Sequence, residues 1–241
     1  VTAIEMPYPR VFDAYASHFS AARIAAPSML VTSLDTFEAN LERVFPNVLG
    51  RLKRVPCTAD CGWVLAGGGV LRALLRDEPR IFREARDTSQ QSDLDIFIYC
   101  PSSKGGRGRS GKADAAASSS STSASAAATE DARLEAEERE NDETRRSKKA
   151  TKMAKAIWDA LAVEEDSEWI ISRGRHVINM RRGSHPPIQI ILRLYESPSE
   201  VLHGFDIDAA CLAYTPSLGG RVWALPRAIR ALRHGVNLLN P

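Results

Sequence analysis

The sequence predicts one α/β or α+β domain, a mixed β-sheet with helices packed against it. Three observations carry this. Short apolar runs rich in β-branched and aromatic residues recur along the chain and read as strands. Stretches with apolar residues three or four apart lie between them and read as helices. The chain has 241 residues and is 44% hydrophobic, enough to bury a sizeable core.

The elements follow in order. Residues 1 to about 34 give no clear pattern. Leu34, Phe37, Leu41, Val44 or Phe45, Val48 and Leu52 then repeat at helical spacing, with Asp35 and Glu38 as a capping box and Pro46 as an interruption. WVLA (63–66), GGG (67–69) and VLRALL (70–75) read as strand, tight glycine turn and helix. A charged loop leads to the strand in QQSDLDIFIYC (90–100). Residues 102–147 are Ser-, Ala- and Gly-rich and then charged; they hold too few large apolar side chains to offset the entropy of ordering and read as a low-complexity, disordered insertion, helical in part over 130–149. The core resumes near Lys148, where Met153, Ile157 and Leu161 share a helix face. EWIIS (168–172) and HVINM (176–180) form a hairpin, PIQIILRLY (187–195) a third strand and SPSEVLHG (197–204) a helical turn. FDIDAACLAY (205–214) reads as a further strand, with RVWAL (221–225) pairing to it across Gly219-Gly220. Pro226 opens a last helix that ends near Gly235. Residues 1–101 and 148–241 thus make one domain around the insertion.

Bulk properties narrow the function classes. The formal net charge is +2, so binding nucleic acid through overall charge is not expected, although a local basic groove stays open. Cys57, Cys61, Cys100 and Cys211 are few and scattered, which predicts reduced thiols and an intracellular setting, cytoplasmic or nuclear. No apolar run reaches the length of a membrane span and no signal-peptide pattern opens the chain. The chain starts at Val1 and stops at Pro241 after a helical stretch, so we expect a piece of a longer protein, fused to a further domain.

Several motifs lose their appeal on inspection. GRGRSGK (106–112) fits the start of a P-loop, yet Ala113 stands where a Mg²⁺-binding Ser or Thr is needed and the surroundings are low-complexity. Cys57 and Cys61 make half a zinc site with no second pair at a suitable spacing. His185 and His203 lack any companion motif for nucleophilic catalysis. Arg227, Arg230 and His234 share a face of the last helix, read as a solvated basic face with no assigned role.

The acidic strand is different. Aspartate is a poor strand former, yet Asp93 and Asp95 open one, two residues apart and therefore on the same face. Asp206 and Asp208 repeat the spacing in a second expected strand. Divalent cations are the natural shared cause: neighbouring carboxylates that repel become stable when they share Mg²⁺, a hard ion that takes oxygen ligands. Two such ions about 3.5–4 Å apart serve phosphoryl-type transfer. The glycine turn lets the backbone approach a phosphate closely.

LAGGGVLRALL followed by SDLDIFIY resembles the polymerase-β-like nucleotidyltransferase superfamily, and is similar to the head domain of CCA-adding enzymes and poly(A) polymerases. The stretch from IQIILRLY to VWALPRAIRAL resembles nucleotidyltransferase-like modules of fungal and large-virus proteins, some joined to ankyrin repeats. The resemblance covers roughly residues 60–100 and 150–235. It implies a nucleotidyltransferase-like mixed sheet and a two-metal Mg²⁺ site. Gly67 and Gly68 match the phosphate-contacting pair, and Asp93 and Asp95 match the Asp-x-Asp metal ligands. The third acid belongs on a neighbouring strand; in PIQIILRLY the site-facing residue is Gln189, an amide, so the third acid is placed at Asp208 or Asp206, bridging to the first metal. The implied reaction is attack of an acceptor hydroxyl, on RNA, protein or a small molecule, at the α-phosphorus of a nucleoside triphosphate with release of pyrophosphate. The alternative is a catalytically inactive nucleotidyltransferase-like binding or scaffolding module, which predicts a cleft without the third carboxylate. A third possibility is a purely structural domain whose Asp pairs point apart into water.

Overall fold

The computed structural model describes residues 30–31, 33–75, 92–102, 124–162, 169–183, 185–216, 220–234 and 237–238. Its framework is a seven-stranded mixed sheet. The strands are β1 (Gly62–Ala66), β2 (Leu94–Tyr99), β3 (Trp169–Arg173), β4 (Val177–Arg182), β5 (Ile188–Tyr195), β6 (Leu212–Thr215) and β7 (Arg221–Ala224), in the order β3-β4-β5-β2-β1-β6-β7. β2 and β5 run parallel at the centre, and the other neighbours are antiparallel. The helices are α1 (Leu34–Val44), α2 (Val48–Leu52), α3 (Gly68–Leu74), α4 (Ala124–Leu161), α5 (Pro198–His203) and α6 (Pro226–His234).

The registers assign faces, because residues paired across a ladder share one. Trp63, Leu65, Ile96, Ile190 and Tyr214 line one face; all are fully buried. Phe37 of α1 packs on Tyr214 with ring centroids 5.0 Å apart. Met153, Ile157 and Leu161 bury the inner stripe of α4, as their spacing predicts. The opposite face carries Val64, Phe97 and Ala213, with Phe97 edge-on to both Tyr195 and Phe205 at 5.6 and 5.7 Å.

The local rules hold with adjustments. The cap of α1 is Ser33, whose hydroxyl accepts from the Thr36 amide at 3.1 Å, rather than the Asp35–Glu38 box. Pro46 follows the end of α1, and Asn47, at φ 63°, turns the chain into α2. α4 reaches back to Ala124, into the stretch expected to be disordered; its many Ala, Glu, Lys and Arg residues are strong helix formers. The P-loop look-alike and Gly219 lie outside the described residues, as do most of residues 1–34. No helix among the described residues is long and apolar enough to cross a membrane.

Two expectations are corrected. Antiparallel pairing of Gly62 with Tyr99 sets Cys61 opposite Cys100, Cα atoms 4.1 Å apart, and the two are joined as a disulfide rather than held as reduced thiols. Cys57 and Cys211 are free. The segment 205–214 is not one strand: Asp208–Ala210 form a 3₁₀ turn and only Leu212–Thr215 are extended. Asp206 and Asp208 therefore do not share a strand face.

Candidate functional site

The glycine turn and the acidic strand meet directly. Gly67 ends β1 at φ 86°, ψ −148°, a conformation that side-chain-bearing residues avoid. Its amide donates to the Leu212 carbonyl at 3.0 Å, tying the turn to β6. A Cβ here would fall 2.9 Å from Cε1 of Phe205 and 3.3 Å from Oδ2 of Asp95. At Gly68 it would fall 3.2 Å from the Ser92 hydroxyl, and at Gly69 2.7 Å from the Asp93 carbonyl. Successive glycines thus lie against Asp95, Ser92 and the Asp93 backbone, and any larger residue would push the turn off the carboxylates.

Asp93 and Asp95 are both partly buried at the head of β2. Burial raises the Asp93 carboxyl above its ordinary value, with its own backbone amide pulling the other way. Asp95 is pushed up to about 7, first by burial and then by the Asp93 charge. Among the described residues no Lys, Arg or His forms an ion pair with either carboxylate, so two acidic groups lie side by side there without a described cation on them.

Asp208 went elsewhere. Its side chain is 3% exposed, and Oδ2 accepts from Arg230 at 2.6 Å and from the Leu238 amide at 3.0 Å, while Oδ1 lies 3.6 Å from Arg227. Burial alone would raise its pKa; the Leu238 amide, the Arg230 hydrogen bond and the two guanidinium charges together hold it below the usual carboxylate range. Both oxygens are therefore committed to fastening α6 onto the 3₁₀ turn, which leaves Asp208 unsuited to metal. The arginines read as a solvated face are its partners. Asp206 is exposed on the preceding loop. Among the described residues no three His, Cys, Asp or Glu side chains gather into a metal-binding group.

The residue beside Asp95 on the next strand is Gln189, by the parallel register of β2 and β5. The row continues to Asn179 on β4 and Ser172 on β3, with Asn179 Nδ2 donating to the Ser172 hydroxyl at 3.3 Å. An acidic pair thus opens onto a track of uncharged hydrogen-bonding groups. Phe205 was not foreseen from the sequence; its ring lies against Gly67 and Phe97, and its carbonyl accepts from Arg227 at 2.6 Å. Ser92 was likewise missed, although its place just before Asp93 was the available signal.

A mixed α/β sheet with a glycine turn seated against an Asp-x-Asp strand is the class that fold and site define. The model of the Gabija anti-defense 2 family protein matches residues 35–234, and the chain belongs to that family. No curated protein matches it. A similar solved structure is the Thermotoga maritima CCA-adding enzyme complexed with tRNA, at TM-score 0.41 and 12% identity over 85% of this chain. The chain spans 35% of that enzyme's length.

Proposed function

We propose that this chain is a divalent-cation-dependent nucleotidyltransferase acting against the defence its family is named for, by moving a nucleotidyl group from a nucleoside triphosphate to an acceptor hydroxyl. The observation that carries the reading is the seating of Gly67 and Gly68 against Asp95 and Ser92. Backbone that close to paired carboxylates fits a triphosphate on one side and a hard cation on the other.

The donor set suits Mg²⁺: two carboxylates on one strand face, one of them held near neutrality by burial and its neighbour. Asp93 and Asp95 would hold the ion, which when bound supplies charge neutralisation of the triphosphate. The chain's own part is positioning. Gly67 and Gly68 leave room for the phosphates, Phe205 and Phe97 wall the turn, and Gln189 and Asn179 offer hydrogen bonds to what lies beside Asp95. In the reaction the acceptor oxygen forms a bond to the α-phosphorus, the bond to the β-phosphate bridging oxygen breaks, pyrophosphate leaves and the acceptor proton passes to solvent.

A second reading is favoured by one observation: Gln189 stands where a strand neighbouring β2 would present a third carboxylate. An amide neither accepts a proton as a carboxylate does nor carries charge to a metal, so this reading expects nucleotide binding without transfer. Both are tested together. Calorimetry with Mg²⁺ and each of the four ribonucleoside triphosphates measures binding; α-labelled triphosphate with RNA, protein and small-molecule acceptors measures transfer. Binding with transfer that Asp95→Ala abolishes supports the enzyme. Binding alone supports the second reading, and no binding of any triphosphate sinks both.

A further inference from the structure

We propose that the groove between α4 and the β3–β4 hairpin binds single-stranded nucleic acid, on the sheet face opposite the Asp93–Asp95 pair. Arg173 pairs with Ile178, Ile178 with Ile190 and Ile190 with Ile96. These residues share one face, and Asp95, next to Ile96, is on the other. On the helix side Ser147, Ala150, Thr151, Ala154 and Trp158 recur at helical spacing, so α4 meets the sheet with four small side chains and then a ring. Between them lies a cavity of about 420 Å³, floored by Ile178, Leu192 and Leu194. Sites for organic ligands are commonly of this size.

Charge sets the sign of the ligand. Lys155, Arg173 and Arg175 line the groove, and no Asp or Glu does. Arg173 and Arg175 are exposed and make no side-chain hydrogen bond or ion pair among the described residues. Lys155 lies 2.6 Å from Asp159 in an exposed pair, a weak hold that a phosphate can replace. Arg193 also lines the groove, with its guanidinium 5.3 Å from the Tyr195 ring centroid. α4 changes character before the groove: residues 144–158 hold six Lys and Arg and no Asp or Glu, although residues 130–143 are strongly acidic. Glu143 is about 18 Å along the helix from Lys155. The acidic run 164–168 lies outside the described residues, and from Trp169 the strand β3 runs about 13 Å to Arg173, past the screening length of about 8 Å at physiological salt. More cations leave the fold at the other end of the groove. Arg146 donates to the Cys100 carbonyl at 2.7 Å, which sets the end of β2 beside Ser147. From there the sequence holds Lys104, Arg107, Arg109, Lys112 and four glycines before its first acid, Asp114; the P-loop look-alike is part of this run. Gly- and Arg-rich segments of this kind accompany single-strand binding. Residues 103–123 lie outside the described residues, and the site is the groove alone.

The lining calls for an anion that also carries an apolar face. A nucleic-acid strand has both: phosphates meet the guanidinium forks, and a base stacks on the partly buried Trp158 above the aliphatic floor. An acidic peptide fits worse. The walls are a helix face and a sheet face whose backbone groups are already bonded, so peptide amides laid on the floor would be buried without partners. A second copy fits no better, because its acidic runs, 130–143 and 164–168, hold a single large apolar side chain, Leu134, with which to fill the floor. The groove is independent of the nucleotidyltransferase reading, since it lies on the other face of the sheet.

The test uses the whole chain and fluorescent oligo-dT and oligo-U strands of about twelve nucleotides, within the usual footprint of such sites. The controls are an abasic strand of the same length and a Val–Glu peptide of matched charge. Anisotropy is read at about 0.15 M salt, where loose surface attraction is screened. The expected result is that at least one of the two strands binds, with the abasic strand and the peptide weaker by about tenfold or more. Arg173→Ser with Arg175→Ser should weaken the strand by about tenfold and reduce the slope of log affinity against log salt by about 1.4, the share of two phosphate contacts. Trp158→Leu should weaken it by about tenfold with the salt slope unchanged. Should Trp158→Leu lower the melting temperature, the exposed arginine pair carries the test. Arg181→Ser removes a cation from the face of Asn179, Gln189 and Asp95, and should leave the affinity unchanged. Failure of both strands to bind, an abasic strand or peptide bound as tightly, or an Arg181→Ser loss equal to that of the arginine pair would each overturn the proposal. So would self-association in sedimentation that the arginine pair abolishes.

Discussion

Asp95→Asn exchanges a carboxylate for a neutral amide of nearly the same shape, at a position where charge is expensive. Burial and the Asp93 charge lift the Asp95 carboxyl from 3.8 to about 7. At about 1.4 kcal/mol per pH unit, ionising Asp95 in the native state costs about 4 kcal/mol more than in the unfolded chain. Residual solvent at a partly buried group trims this, and about 2–4 kcal/mol is the expected range. The sign follows from the raised value: the native state holds the Asp95 proton more tightly than the unfolded state, so its contribution is intact below about pH 4 and is lost as pH rises through about 7. With chelator present, wild type should therefore lose stability across that window while Asp95→Asn does not. At pH 8 the variant should be the more stable by about 2–4 kcal/mol, shifting the urea midpoint by about 1–2 M. The advantage should shrink towards zero near pH 4. Adding Mg²⁺ at pH 8 should then raise the wild-type midpoint and leave the variant where it was, because a ligand of the native state stabilises only what it binds. A stability difference that stays flat from pH 5 to pH 8 would refute the electrostatic argument. A wild-type midpoint unmoved by millimolar Mg²⁺ would refute the assignment of the pair to a cation.

Other perturbations are read the same way. Gly67→Ala forces a Cβ onto a backbone at φ 86° and to 2.9 Å from the Phe205 ring, so unfolding measurements should show a loss of about 1–3 kcal/mol and calorimetry a loss of triphosphate binding. Gly50→Ala is its control: a Cβ there meets nothing within 4 Å in helix α2, and a gain of about 0.5–1 kcal/mol is expected. Asp208→Asn leaves Arg230 and Arg227 without their charge partner and should cost about 3–5 kcal/mol in denaturant titrations near neutral pH. Because the native Asp208 carboxyl lies below its ordinary value, that penalty should fade on acidification through it. Gln189→Glu sets a third carboxylate beside Asp95 and should lower stability in chelator at pH 8 while raising Mg²⁺ affinity by calorimetry; unchanged Mg²⁺ affinity would show that this position does not face the ion.

How far the sequence alone could reach is best judged at particular residues. Strands β1, β2, β4 and β5 and helix α6 were legible because a buried strand and an amphipathic helix write their periods into adjacent residues. The seating of Gly67 to Gly69 near Asp93 and Asp95 was legible for a different reason: three glycines after a strand and two aspartates inside one are each costly choices, and costly choices need a cause. The segment 205–214 defeated the same logic. Its alternation of Phe, Ile and Ala with Asp imitates a strand, but Asp208 is buried because α6 brings Arg230 and Arg227 onto it from more than fifteen residues away. A salt bridge of that reach leaves no local pattern. The same is true of Cys61 and Cys100, separated by 39 residues and brought opposite one another only by the β1–β2 register. A sequence period records which face a side chain takes, whereas the identity of its partner is set by how strands are ordered. Strand order is also what decides the third position beside Asp95. Parallel pairing of β2 with β5 puts Gln189 there, as its place in PIQIILRLY suggested, and Asp208 cannot displace it without breaking the Asp208–Arg230 bridge that fastens α6.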